Sequence, residues 1–154
     1  MKRSIYIIIL VFLSIGSNSI AQDLSNKGKE FWIPYCYHVN QNNGLLVMTL
    51  YLTSDVNTDY KVEIYGDTTL QSGSINAGQV ITCTIPLKYL LNAEGLFTKY
   101  AIRVTAKNPI VVYSYITQSA ISGATLCLPT NVLGQEYISM NFKQISNEIG
   151  RAHV

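Results

Sequence analysis

After the first thirty or so residues, the apolar positions fall into short runs separated by turn-forming residues, and no long stretch carries a helical period. The clearest run is Tyr60-Lys61-Val62-Glu63-Ile64-Tyr65, where Lys61 and Glu63 alternate with apolar neighbours. That period of two marks a strand with one face buried and the other wet. Leu45 to Ser54 (LLVMTLYLTS) is long and apolar enough for a central strand, and Val80 to Ile85 (VITCTI) is a further strand stopped by Pro86. Glu30 to Val39 is aromatic and β-prone, with Pro34 marking an edge or a bulge. Tyr100 to Ala106 and Ile110 to Thr117 flank Lys107-Asn108-Pro109, a polar turn that predicts an antiparallel hairpin. Thr68 to Gln71, Ala124 to Leu128 and Tyr137 to Phe142 supply shorter pieces, and Leu87 to Phe97 predicts one or two helical turns bridging two sheets. Seven or eight short strands at this spacing predict an all-β domain, an antiparallel β-sandwich of the immunoglobulin or fibronectin kind.

The N-terminus breaks this pattern. Lys2 and Arg3 precede an almost unbroken apolar run from Ile5 to Ile15, and Ser19-Ile20-Ala21 has the small-x-small form that signal peptidase reads. The run falls short of the roughly 20 apolar residues of a membrane span. Residues 1–21 are therefore expected to be a signal peptide. The mature chain would begin near Gln22, exported to the outside of the cell or its surface, with no membrane insertion of the mature domain. The other end is also unusual. Glu148-Ile149-Gly150-Arg151-Ala152-His153-Val154 is what the start of a common short-read sequencing adapter encodes, so residues 148–154 are expected to be foreign. The domain would then occupy residues 22–147 and be incomplete at its C-terminal end.

Between Gln22 and Asn147 eight basic side chains balance eight acidic ones, and the net charge of +2 comes from Lys2 and Arg3. A neutral body with no basic stripe argues against nucleic acid as a partner. The low charge and the ten tyrosines after the signal segment suit a folded, β-rich exported domain rather than a disordered one.

Candidate chemistry is sparse. His38 is the one histidine before the suspect tail, and no HExxH, GxSxG or CxxC pattern occurs. The expectation is a protein that is not an enzyme and uses no cofactor or metal. Asp55, Asp59 and Asp67 fall in neighbouring turns and could collect calcium, although aspartate is common in turns for its own backbone bonding. Cys36, Cys83 and Cys127 all lie in expected strands. Buried inert thiols are favoured, with one disulfide as the alternative and its pairing open. Phe31 and Trp32 are expected to anchor the first strand in the core, the alternative being an exposed Trp32 that stacks on a glycan. Tyr35 with Tyr37, and Tyr113 with Tyr115, share strand faces at i and i+2. β-propensity and cross-strand packing are the favoured account of these pairs, the alternative being that with Trp32 they form a possible recognition surface, tyrosine giving large contact area at small entropic cost.

Three segments carry a resemblance. Gly28-Lys29-Glu30-Phe31-Trp32, Leu50-Tyr51-Leu52-Thr53-Ser54, and the run from Ala101 to Tyr137 follow one another in order. Within that run Asn108-Pro109-Ile110-Val111-Val112-Tyr113 precedes Leu128-Pro129-Thr130-Asn131-Val132-Leu133-Gly134. The set resembles the N-terminal domain of the IgGFc-binding-protein family in large exported proteins of Bacteroidetes. Glu30, Leu52 and Ile110 depart conservatively from that family's pattern. The resemblance implies a β-sandwich at the start of a long multidomain surface protein, with further adhesion-like domains and a type IX sorting domain downstream. The function expected is adhesion to an unknown protein or glycan ligand. A structural spacer and a carbohydrate-binding accessory domain are the alternatives.

Overall fold

The computed structural model describes residues 25–36, 45–91, 99–118 and 121–138. The expected signal segment, Tyr37, His38, the turn at Gln41 to Gly44 and the C-terminal tail lie outside them. So do most of the expected helical stretch after Leu91 and of the expected last strand. Seven strands run through the described residues: β1 (Gly28–Ile33), β2 (Val47–Thr53), β3 (Thr58–Ile64), β4 (Thr69–Ile75), β5 (Val80–Ile85), β6 (Ile102–Gln118) and β7 (Ile121–Cys127). Short 3-10 turns follow Pro86 and Pro129, each proline ending the preceding strand.

All strand pairs are antiparallel, and they form one seven-stranded sheet in the order β4-β3-β6-β2-β5, with β1 and β7 added along β6. The chain is thus all-β, with the sheet curled into a half-barrel. Its organiser is β6, where the structure corrects the expected hairpin. Tyr100 to Ala106 and Ile110 to Thr117 do not pair with each other. From Ile102 on, they belong to one 17-residue strand whose first half lies between β1 and β3 and whose second half lies between β2 and β7.

Lys107-Asn108-Pro109 is the bend between those halves. Along β1 only Lys29 separates Gly28 from Glu30, whereas their partners on β6 are Ile110 and Thr105, so β6 accommodates extra residues there. Pairing with β3 stops at Ala106 and pairing with β2 starts at Val111. Pro109, with no N–H to donate, therefore sits where the ladder is interrupted. The segment linking β2 to β3 satisfies the bend's polar backbone. Ser54 donates its hydroxyl to the Pro109 carbonyl (3.1 Å), the Asn108 N–H reaches Thr58 Oγ1 (2.8 Å), and the Asn108 side-chain amide reaches the Asn57 carbonyl (3.0 Å). Thr58→Val keeps the shape but orphans the Asn108 N–H. A loss of about 1–2 kcal/mol in urea unfolding is expected.

Curling brings the inner faces of the two halves together. Phe31, Val62, Ile64, Ile102 and Val104 from the β4-β3-β6-β1 half join Met48, Leu50, Leu52, Ile85 and Val112 from the β5-β2-β6-β7 half in one buried cluster. The even-numbered residues of β2, β3 and β6 point inward and the odd ones outward, as a period of two requires. Among the described residues no helix is long and apolar enough to cross a membrane.

Candidate functional site

The outer face of the β4-β3-β6-β1 half carries a compact group of aromatic and charged side chains. In the register, Arg103 on β6 lies opposite Trp32 on β1 on one side and Glu63 on β3 on the other. Glu30, two residues before Trp32, shares its face. Arg103 donates from Nε to Glu30 Oε1 at 2.8 Å and from Nη1 to Glu63 Oε1 at 3.5 Å, and Lys61 pairs with the other oxygen of Glu63. The strand places Tyr65 just past β3, where its N–H bonds to the Ala101 carbonyl (2.9 Å). Its ring meets Trp32 edge to face, with centroids 4.9 Å apart and planes at 69°. The guanidinium of Arg103 lies 5.6 Å from the Trp32 ring and 6.0 Å from that of Tyr65, within cation–π range. Beside Trp32, at the end of β1, an open groove of about 190 Å³ is lined by Trp32, Ile33, Pro34, Leu91, Tyr100 and Ala101.

Electrostatics hold this group together. The Lys61 hydrogen bond, with Lys61 and Arg103 charge, keeps the Glu63 carboxyl below the usual carboxylate range, and Glu30 raises Arg103 further into its charged form. A depressed folded-state pKa adds stability above the ordinary glutamate value of about 4.3 and loses it as pH falls through the folded value. The protein is therefore expected to lose stability on acidification below that point, and Glu63→Gln to flatten that part of the pH–stability curve. Urea midpoints taken from neutral to acid pH check this.

The structure moves several expected residues. Trp32 is not a core anchor: it is 38% exposed, while its neighbour Phe31 is fully buried. Adjacent strand residues point to opposite faces, and the curled sheet covers only the inner one. Tyr35 leaves the expected recognition surface altogether. It is 4% exposed, and its hydroxyl donates to the Thr49 carbonyl at 2.6 Å, so burial pushes its pKa up. Its expected companion Tyr37 lies outside the described residues.

Tyr113 and Tyr115 do sit on an outer face, that of the β5-β2-β6-β7 half. Tyr113 is 42% exposed, Tyr115 is half-buried, and Tyr51 joins them, paired with Tyr113 and edge to face with Tyr115 at 6.2 Å. This second face has no Lys, Arg, Asp or Glu along β2, β5, β7 or the second half of β6. The two outer faces are thus chemically distinct, one aromatic and ionic, the other aromatic and uncharged.

All three thiols are free: Cys36 exposed, Cys83 and Cys127 buried. Burial pushes Cys83 up to about 11 and raises Cys127 too, away from the reactive thiolate. Cys83 on β5 and Cys127 on β7 are separated by β2 and β6. Three strand spacings make about 14 Å along the sheet, beyond the roughly 7 Å that a disulfide spans between Cα atoms. The three aspartates expected in turns have separate partners, Asp55 pairing with Lys27, Asp59, which lies in β3 and not in a turn, accepting from Ser74 (2.7 Å), and Asp67 from Tyr89 (3.0 Å). Among the described residues no group of three or more His, Cys, Asp or Glu could hold a metal ion.

Sequence reasoning did not single out Tyr65, Arg103, Glu30 or Glu63 as a site. Glu63 was legible as outward-facing from the alternation of β3. Its convergence with Glu30 on Arg103 depends on pairings across 40 and 73 residues, which no local pattern encodes.

No protein-family model matches this chain. No curated protein matches it in sequence. A crystal structure titled for Thermotoga maritima 1070 is similar in shape at a TM-score of 0.42 and 12% identity, over 70% of this chain and 98% of that one. That level of likeness carries no functional argument.

Proposed function

We propose that this chain is a non-catalytic binding module of an exported surface protein, and that it recognises its ligand through the outer face around Trp32. The observation that carries the proposal is an exposed tryptophan held at fixed geometry by Tyr65 and Arg103, with Arg103 itself held by two carboxylates. Large aromatic side chains left wet but immobilised are what recognition surfaces use, because little freedom remains to be lost on binding.

Other features support the export and adhesion parts of this reading. The sequence opens on a basic, then apolar, then small-residue pattern suited to a signal peptide. Two of the segments that resemble the IgGFc-binding N-terminal domain family meet in space, Gly28 lying against Pro129 and Asn131. In this reading the two halves of the curled sheet serve as the layers of the expected β-sandwich, facing each other across one core.

Two assays test it. Residues 1–21 fused to alkaline phosphatase, which needs an oxidising compartment, should give activity that Lys2→Glu with Arg3→Glu reduces. Inactive fusions would remove the exported reading. The protein should also adhere to at least one of mucin, fibronectin, gelatin and insoluble polysaccharide, with adhesion falling about tenfold or more in Trp32→Ala. Adhesion to none of them, or adhesion indifferent to Trp32→Ala and Tyr65→Ala, would favour a structural spacer instead.

A further inference from the structure

We infer that the Trp32 face takes an uncharged sugar ring, stacked on the indole, with the carboxylates of Glu30 and Glu63 accepting hydroxyl hydrogens at its rim. The inference names the ligand class of the site proposed above and rests on that proposal.

The charge balance comes first. Arg103 and Lys61 are matched by Glu30 and Glu63, and Arg103 is engaged by both carboxylates. An anionic ligand would have to compete with them for the guanidinium. A cationic ligand would meet Arg103 already lying by both aromatic rings. The local field therefore favours a neutral partner that needs no ion pair.

The surface is also polar in the way a sugar is polar. A pyranose has a face of C–H groups and a rim of hydroxyls. The indole offers an apolar plane for the first, and partly exposed carboxylates are strong acceptors for the second. A purely apolar ligand would strip water from this charged rim and offer it no hydrogen bond in return, which is costly.

Size and shape agree. The groove beside Trp32 is about 190 Å³ and open to solvent. Pockets that enclose drug-sized ligands run to roughly 300–1,000 Å³, and this one, lined past Trp32 by Ile33, Pro34, Leu91, Tyr100 and Ala101 and not by the two carboxylates, suits the next ring of a longer chain stacked on Trp32. Tyr65, 54% exposed and set at 69° to the indole, forms a wall at one side of the platform. The indole is pinned before any ligand arrives, so the ordering cost of stacking is already met by the fold.

Trp32 is the protein's single tryptophan, which makes it its own reporter. The intrinsic fluorescence of the intact protein is titrated with neutral oligosaccharides (xylo-, manno- and cello-oligomers) and with charged ones (oligogalacturonate, heparin fragments, chito-oligosaccharide amine). Affinity electrophoresis in the matching polysaccharides runs beside it. At least one neutral glycan should shift the emission and retard migration. Trp32→Ala should lose retardation about tenfold or more and Trp32→Phe should lose less. Tyr113→Ala, on the other outer face, should leave it unchanged. A response only to charged glycans, retardation that survives Trp32→Ala in folded protein, or no response to any neutral glycan overturns the inference. If Trp32-dependent adhesion to mucin, fibronectin or gelatin persists while every glycan fails, the sugar assignment falls and the binding-module proposal stands. If Trp32 matters in neither assay, both fall.

Discussion

Replacing Gly28 by alanine is expected to cost about 3 kcal/mol, the upper end of what overpacking usually costs. A methyl group there would lie 2.1 Å from Cβ and 2.7 Å from Cγ of Pro129, and 3.1 Å from Oδ1 of Asn131. The first two distances are far inside van der Waals contact, and a pyrrolidine ring cannot swing aside as a long side chain can. The requirement for glycine is therefore one of close approach between β1 and the 3-10 turn after β7. Urea unfolding of Gly28→Ala measures the loss. Gly28→Ala combined with Pro129→Gly should be less destabilised than the two single changes add up to, because the second removes the atoms the first collides with. A Gly28→Ala protein within about 0.5 kcal/mol of the parent, the usual range for inert surface changes, would mean that β1 does not pack here.

The second large effect separates two neighbours. Phe31→Ala should destabilise by about 3–5 kcal/mol, since it empties a fully buried site in the shared core. Trp32→Ala, one residue on, should cost less, about 1–2.5 kcal/mol, because its ring is already partly in water and gives up chiefly one edge-to-face contact and one cation–π contact. Denaturant midpoints of the two variants settle the ordering. If Trp32→Ala were the more damaging, β1 would be turned over and the outer-face site would not exist.

These neighbours also show what the sequence makes legible. The alternation of Lys61 and Glu63 correctly marks β3 and its wet face, and LLVMTLYLTS and VITCTI correctly mark the paired strands β2 and β5. The strict alternation of side chains along a strand argues that Phe31 and Trp32 cannot both enter a core that covers one face, so Trp32's exposure was within reach of a local argument. The course of β6 was not. Lys107-Asn108-Pro109 has turn chemistry, and only the polar groups of Ser54, Asn57 and Thr58, some fifty residues away, convert it from a reversal into a bend. For the same reason the apolar Ile110–Thr117 stretch is not a sheet edge. β7 covers it and is, among the described residues, the outer strand on that side. Tyr35 takes the packing role favoured for the tyrosine pairs over recognition, its hydroxyl donating to a carbonyl of β2. The ionic half of the site is invisible until β1, β6 and β3 lie side by side.

The shared strand has a temporal consequence. β1, β2 and β3 all take partners from β6, yet β6 begins at Ile102, long after all three have been made. Before then, the strand pairs within reach are β3 with β4 and β2 with β5. A chain emerging N-terminus first thus has two small strand pairings and an unclosed core until β6 arrives, when one segment pairs with three strands already made and then with β7. Such non-local closure makes folding slow and late. The segment before β6 therefore stays loosely organised during synthesis, and the shared core closes only once β6 is in place.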